Sequence, residues 1–145
     1  MKITSWTLLA LLVGCDTTGA DCTDMDVWDS LTLAFQPVIT TPGTWAFVLT
    51  EGIAASCEIT LPDPASADDR YVDCEGVDEQ RVDRVDGIES LRIYEAPASA
   101  RLLITYEGTA WFEDVIEPEY AVDEPNGEGC GERFTATMPI EVPEP

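Results

Sequence analysis

The chain contains no histidine and a single lysine, Lys2. Without an imidazole, neither a Ser-His-Asp triad nor a Cys-His pair can be assembled, which removes most hydrolase classes. No CxxC pair is present and the cysteines are widely spaced, so zinc ligation by thiols is excluded as well. Basic residues number 7 against 29 acidic ones, a net charge of −22. Phosphate groups are held by clustered Lys and Arg, so nucleic acid and anionic lipid surfaces are excluded as electrostatic partners. No apolar run reaches the ~20 residues that a membrane-spanning helix needs.

What is present begins at the N-terminus. Residues 1–14 carry a charged start at Lys2, then an apolar run through Ile3, Trp6, Leu8, Leu9, Leu11, Leu12 and Val13, and end on a small residue. This is the pattern of an export signal. Its end, Leu12-Val13-Gly14-Cys15, resembles the lipobox of bacterial lipoproteins residue by residue. The resemblance implies diacylation of Cys15, cleavage before it, and tethering to a membrane of the cell envelope through lipid rather than through a spanning helix. An ordinary secretory signal cut after Ala20, at Thr18-Gly19-Ala20, is the alternative, and it exports the chain equally. Asp16 resembles the inner-membrane retention signal of enteric lipoproteins, a rule that does not transfer between lineages. The expected organisation is a signal peptide over 1–14, a lipidated acidic tether over 15–29 and a single domain over 30–145.

Removal of residues 1–14 takes the lysine with it and leaves six arginines against 29 acids, a net charge of −23 over 131 residues. That length suffices for one domain with its own core. The acidity steers a cationic partner toward the surface, or serves solubility alone. With Cys15 assigned to lipid, four cysteines remain, Cys22, Cys57, Cys74 and Cys130, an even number in an exported chain where disulfides persist. Three pairings are open. Cys57 and Cys74 flank a predicted hairpin and could staple it, which would leave Cys22 with Cys130.

Period-two alternation dominates the rest. Leu31, Leu33 and Phe35 fall on one strand face; so do Trp45, Phe47 and Leu49, then Ala55, Cys57, Ile59 and Leu61. Pro37 and residues 40–43 are expected to turn the chain, as is Glu51-Gly52. Tyr71 to Glu75 forms a short strand, and 76–87 is too charged to assign. Leu91 and Ile93 alternate with Arg92 and Tyr94, and Leu102, Ile104 and Tyr106 lead through a Glu107-Gly108 turn into a hairpin partner at 109–116. That partner is expected to show Trp111 on one face and Ala110, Phe112 and Ile116 on the other. Residues 117–131 read as a loop. A last strand over about 133–142 carries Phe134, Ala136, Met138 and Ile140 on one face, with Pro139 marking it as an edge. Seven to eight short strands without a helix predict an antiparallel β-sandwich, immunoglobulin-like, with two disulfides. A small β-barrel is the alternative.

Chemistry-bearing groups are few. A glycosidase-type carboxylate pair needs a cleft with two carboxyls at a set separation, which a small sandwich seldom supplies, so no enzyme is expected. Glu117, Glu119, Asp123 and Glu124, with Glu113, Asp114 and Glu128 nearby, offer hard oxygen donors suited to weak calcium binding, although the spacing matches no EF-hand. Asp24, Asp26 and Asp29 form a weaker group. Trp28, Trp45, Trp111 and Tyr120 make either an aromatic platform or core, with Tyr120 expected at the surface. The domain resembles small acidic lipoproteins of bacteria, which implies no mechanism. The expected function is a monomeric, non-catalytic, lipid-anchored envelope module, binding or structural, periplasmic or surface-exposed, with an unidentified partner for which a cationic protein is one candidate. An inhibitor of a cationic envelope-attacking enzyme is the alternative: lysozyme-inhibitor lipoproteins share its size, anchor and disulfides, though their inhibitory motif is not matched.

Overall fold

Alternation in the sequence becomes alternation of burial. In the computed structural model, which describes residues 26–63, 71–78 and 87–143, Leu31, Leu33 and Phe35 are buried while Thr32 and Ala34 stay half-exposed. The same holds for Trp45, Phe47 and Leu49, and for Ala55, Cys57, Ile59 and Leu61. The signal segment, Cys15 and Cys22, like 64–70 and 79–86, lie outside the described residues.

Nine strands are present among the described residues: β1 (Ser30–Ile39), β2 (Gly43–Thr50), β3 (Ala55–Leu61), β4 (Tyr71–Glu75), β5 (Ile88–Ile93), β6 (Ala100–Tyr106), β7 (Thr109–Ile116), β8 (Ala121–Asp123) and β9 (Arg133–Glu141). They form two open sheets, β5-β1-β9-β8 and β4-β3-β2-β6-β7. No sheet closes on itself, so the barrel alternative is set aside. The architecture is the expected sandwich, with its own strand order rather than the ABED and CFG order of an immunoglobulin constant domain. All pairs are antiparallel except β1 with β9, which run parallel from Ser30↔Thr135 to Gln36↔Glu141.

The inner faces of both sheets fuse into one apolar cluster. Phe35 of one layer meets Phe47 of the other with ring centroids 5.1 Å apart. Each large buried side chain of this kind contributes about 1.5–3 kcal/mol of apolar burial, and a dozen of them are almost fully enclosed.

Five expectations need correction. Nine strands replace seven or eight, because Ala121–Asp123, assigned to a loop, pairs antiparallel with Arg133–Thr135 of β9. Pro37 does not turn the chain: β1 runs through it, and the register against β5 shifts between Ala34 and Ile39 instead. In β7 the register also shifts, so that Phe112 faces Ile104 and Ala110 faces Thr105, which leaves Trp111 as the extra residue. A bulge of this kind flips the side-chain order, and both Trp111 and Phe112 end half-buried against the core. The expected pair of disulfides reduces, among the described residues, to one complete bridge, Cys57–Cys74.

That bridge joins directly opposed residues of β3 and β4, 4.0 Å apart at Cα, the closer kind of antiparallel pair. Cys130 is also disulfide-bonded, but the suggested partner Cys22 lies outside the described residues. The two-residue Glu107-Gly108 hairpin forms as expected, both residues taking the left-handed backbone (φ 48° and 74°) that matches strand twist. The fifth correction concerns Pro139: β9 is not the expected edge strand but lies between β1 and β8, and the proline is tolerated because it falls on the half of β9 that β8 does not reach.

Candidate binding faces

Among the described residues no buried side-chain nitrogen or oxygen lacks a hydrogen-bond partner. The interior therefore holds no orphaned polar group waiting for a ligand, and attention passes to the outer faces of the two sheets.

Register decides what each face shows. On the five-stranded sheet, Ala46, Val48 and Thr50 of β2 point outward because Trp45, Phe47 and Leu49 point in. Val48 stands opposite Leu103 on one side and Ser56 on the other, while Leu103 continues to Glu113. One row over, Ala46 stands between Glu58 and Thr105, and Glu58 continues to Asp73. Ser56 continues to Glu75, and Arg101 to Val115, which is 47% exposed. The result is a small apolar centre of Ala46, Val48, Leu103 and Val115 with carboxylates on both flanks.

Among the described residues Arg101 is the basic group on that face. Its Nε donates to Glu51 at 2.9 Å and its Nη1 to Glu113 at 3.1 Å, hydrogen bonds that raise its pKa. Glu58, Asp73 and Glu75 have no arginine among the described salt bridges. The negative field is felt by Tyr71, whose phenol is pushed above its ordinary value first by the adjacent Asp73 carboxylate.

The four-stranded sheet is the opposite case. Arg92, Thr32 and Thr137 stand in one cross-strand row on its outer face. They line an open groove of about 620 Å³, walled by Trp28, Tyr94 and Arg133. Arg133 is held by Asp123, Nε to Oδ1 at 2.9 Å with a second contact from Nη2 to Oδ2, and this pairing lowers the Asp123 pKa. Arg92 has no such partner: among the described residues its side chain meets Thr32 Oγ1, 3.4 Å from Nε, and no carboxylate.

No protein-family model, curated protein or solved structure matches this chain. The faces are therefore read by their chemistry.

The expected aromatic platform separates. Trp45 is buried and donates to Thr41 O at 3.0 Å, and Trp111 donates to Pro143 O at 2.7 Å. These two flank Tyr106, 4.6 and 6.5 Å away between ring centroids, which donates to Pro42 O. Tyr120, expected at the surface, is half-buried and donates to Pro97 O; burial, then the charge of Asp29, raises its pKa. Trp28 alone of the four stands well out, 65% exposed at the groove.

The calcium candidates do not converge either. Asp123 is engaged by Arg133, Glu124 Oε1 accepts from Gly129 N at 3.3 Å, and Glu117 and Glu119 are exposed in the link before β8. Among the described residues no group of three or more His, Cys, Asp or Glu is placed to hold a metal ion. Of the weaker acidic group, Asp29 is structural: its Oδ1 accepts from Phe134 N at 2.9 Å, fixing the entry to β1 beside β9. The groove residues Arg92, Arg133, Thr32 and Thr137 went unmarked in the sequence. The available signal was scarcity, since an arginine in so acidic a chain is a rare event.

Proposed function

We propose that this chain is a non-catalytic binding module of the bacterial envelope, tethered by lipid on Cys15, whose five-stranded face docks a basic protein. The observation that carries the reading is the apolar centre of Ala46, Val48, Leu103 and Val115 flanked by Glu58, Asp73, Glu75 and Glu113. An apolar patch with a charged rim is the anatomy of a protein-docking surface, and the rim's sign selects a cationic partner. The net charge of −22 adds long-range steering toward the same partner. The tether rests on the likeness of Leu12-Val13-Gly14-Cys15 to a lipobox.

A basic muramidase is the natural probe, because an envelope module of this charge would meet such enzymes. The full chain, purified in detergent, is titrated with the muramidase at low and at physiological salt. Binding that is lost with salt, and weakened about tenfold or more by Val115→Glu or by Glu58→Gln with Glu75→Gln, supports the reading. Absence of binding at low salt, or binding indifferent to these substitutions, sinks it. Loss of muramidase turnover in the complex would identify the module as an inhibitor.

A further inference from the structure

The groove on the four-stranded sheet reverses the character of the molecule. Acids outnumber basic residues 29 to 7 in the chain, yet the groove is lined by two arginines, Arg92 and Arg133, against one carboxylate, Asp26. Trp28 and Tyr94 also line a second groove, which holds Asp29, Glu95 and Glu132. The two rings thus form a ridge between an arginine side and an acidic side.

We propose that the arginine side binds a carboxylated saccharide, a sugar unit of the uronic-acid type. Each part of such a ligand has a counterpart. Arg92 spends its Nε on Thr32, which leaves both terminal nitrogens to hold a carboxylate in the paired geometry that a planar guanidinium provides. Arg133 is held by Asp123, so Arg92 is the guanidinium of the groove that contacts no carboxylate among the described salt bridges. The Thr137 hydroxyl, one strand over and roughly 4.8 Å across the sheet from the Thr32 position, offers a donor and acceptor for ring hydroxyls. The exposed indole of Trp28 offers a flat face for the C–H side of a pyranose, in the way amphipathic rings serve at interfaces. A bare phosphate uses the arginine but neither the indole nor the hydroxyl row, and the open groove lacks the converging backbone N–H groups that enclose phosphate.

The test is calorimetric titration of the full chain in detergent with oligogalacturonate, its fully methyl-esterified form, and inorganic phosphate. Expected are saturable binding of the acid oligomer, weakening of at least about tenfold on esterification and on Arg92→Gln, and a comparable loss for Trp28→Ala. Trp28 is exposed enough that its removal leaves folding intact, so that variant remains informative if Arg92→Gln fails to fold. No binding of the acid oligomer, equal binding by Arg92→Gln and wild type, equal binding of the ester, or displacement by equimolar phosphate would each overturn the proposal.

Discussion

The two outer faces of this sandwich share one core but differ in charge. The five-stranded face gathers the carboxylates Glu58, Asp73, Glu75 and Glu113, of which Glu113 alone is bound by Arg101, around aliphatic side chains, whereas the four-stranded face gathers arginine, threonine and an exposed indole. Net charge alone describes the first and hides the second. A strongly acidic chain is thus compatible with a local anion site, provided strand pairing brings two arginines, Arg92 and Arg133, to one sheet and leaves Arg92 without a carboxylate partner among the described salt bridges. The inward residues cannot tell the faces apart, since both sheets contribute the same kind of apolar alternation to one cluster.

The sharpest way to break the contrast is to remove what the faces share. Phe47 is completely buried and contacts Phe35 of the opposite layer. Phe47→Ala is expected to destabilise the fold by about 3–5 kcal/mol, measured by denaturant unfolding, with both faces losing ligand together. Retention of one binding activity in an otherwise unfolded population would show that the sheets are stable separately.

A smaller effect separates them. The Cys57–Cys74 bridge, spanning 17 residues, ties the edge strand β4 with Asp73 and Glu75 to β3. Replacing both cysteines by serine is expected to cost about 3 kcal/mol. At temperatures where the fold survives, binding at the acidic face should weaken while oligogalacturonate binding stays. Equal loss at both faces would mean that β4 is not an independent edge.

How much of this was legible in sequence depends on range. Local alternation identified the inward sets, from Leu31-Leu33-Phe35 to Leu102-Ile104, and Glu107-Gly108 announced its hairpin. β8 was missed because Ala121, Val122 and Asp123 are all exposed, so burial left no period to read. The Trp111 bulge shifts register without any glycine or proline marking it. The faces were the least legible. Arg92, Thr32 and Thr137 meet only through β5-β1-β9 pairing, including the parallel β1-β9 contact, and nothing within a few residues of any of them states that neighbourhood.

Acid should act on the four-stranded sheet through β8. The Asp123 carboxyl is held below its ordinary value by hydrogen bonds from Arg133. A depressed folded-state value means that the stabilisation is fully present above the unfolded value, near 3.9, and is lost as pH falls through the lower folded one. Protection of the Val122 amide, the unstructured exchange rate at the same pH relative to its own, is therefore expected to fall below about pH 4. Asp123→Asn should show the lower protection already at pH 7, with little further response to acid. Identical exchange in the variant and the wild type at neutral pH would remove the ion pair as the clamp on β8.

The same pair makes calcium the smallest expected effect. For Asp123 to ligate calcium it must surrender Arg133, and Glu124 must release Gly129 N, so neither carboxylate is preorganised for a cation. A ligand present at about ten times its Kd stabilises by roughly 1.4 kcal/mol, which for a domain of this size raises Tm by about 3 °C or more. Millimolar calcium is expected to raise Tm no more than equal magnesium. A calcium-specific rise of that size, abolished by Asp123→Asn, would show that the loop before β9 exchanges its arginine for a metal ion.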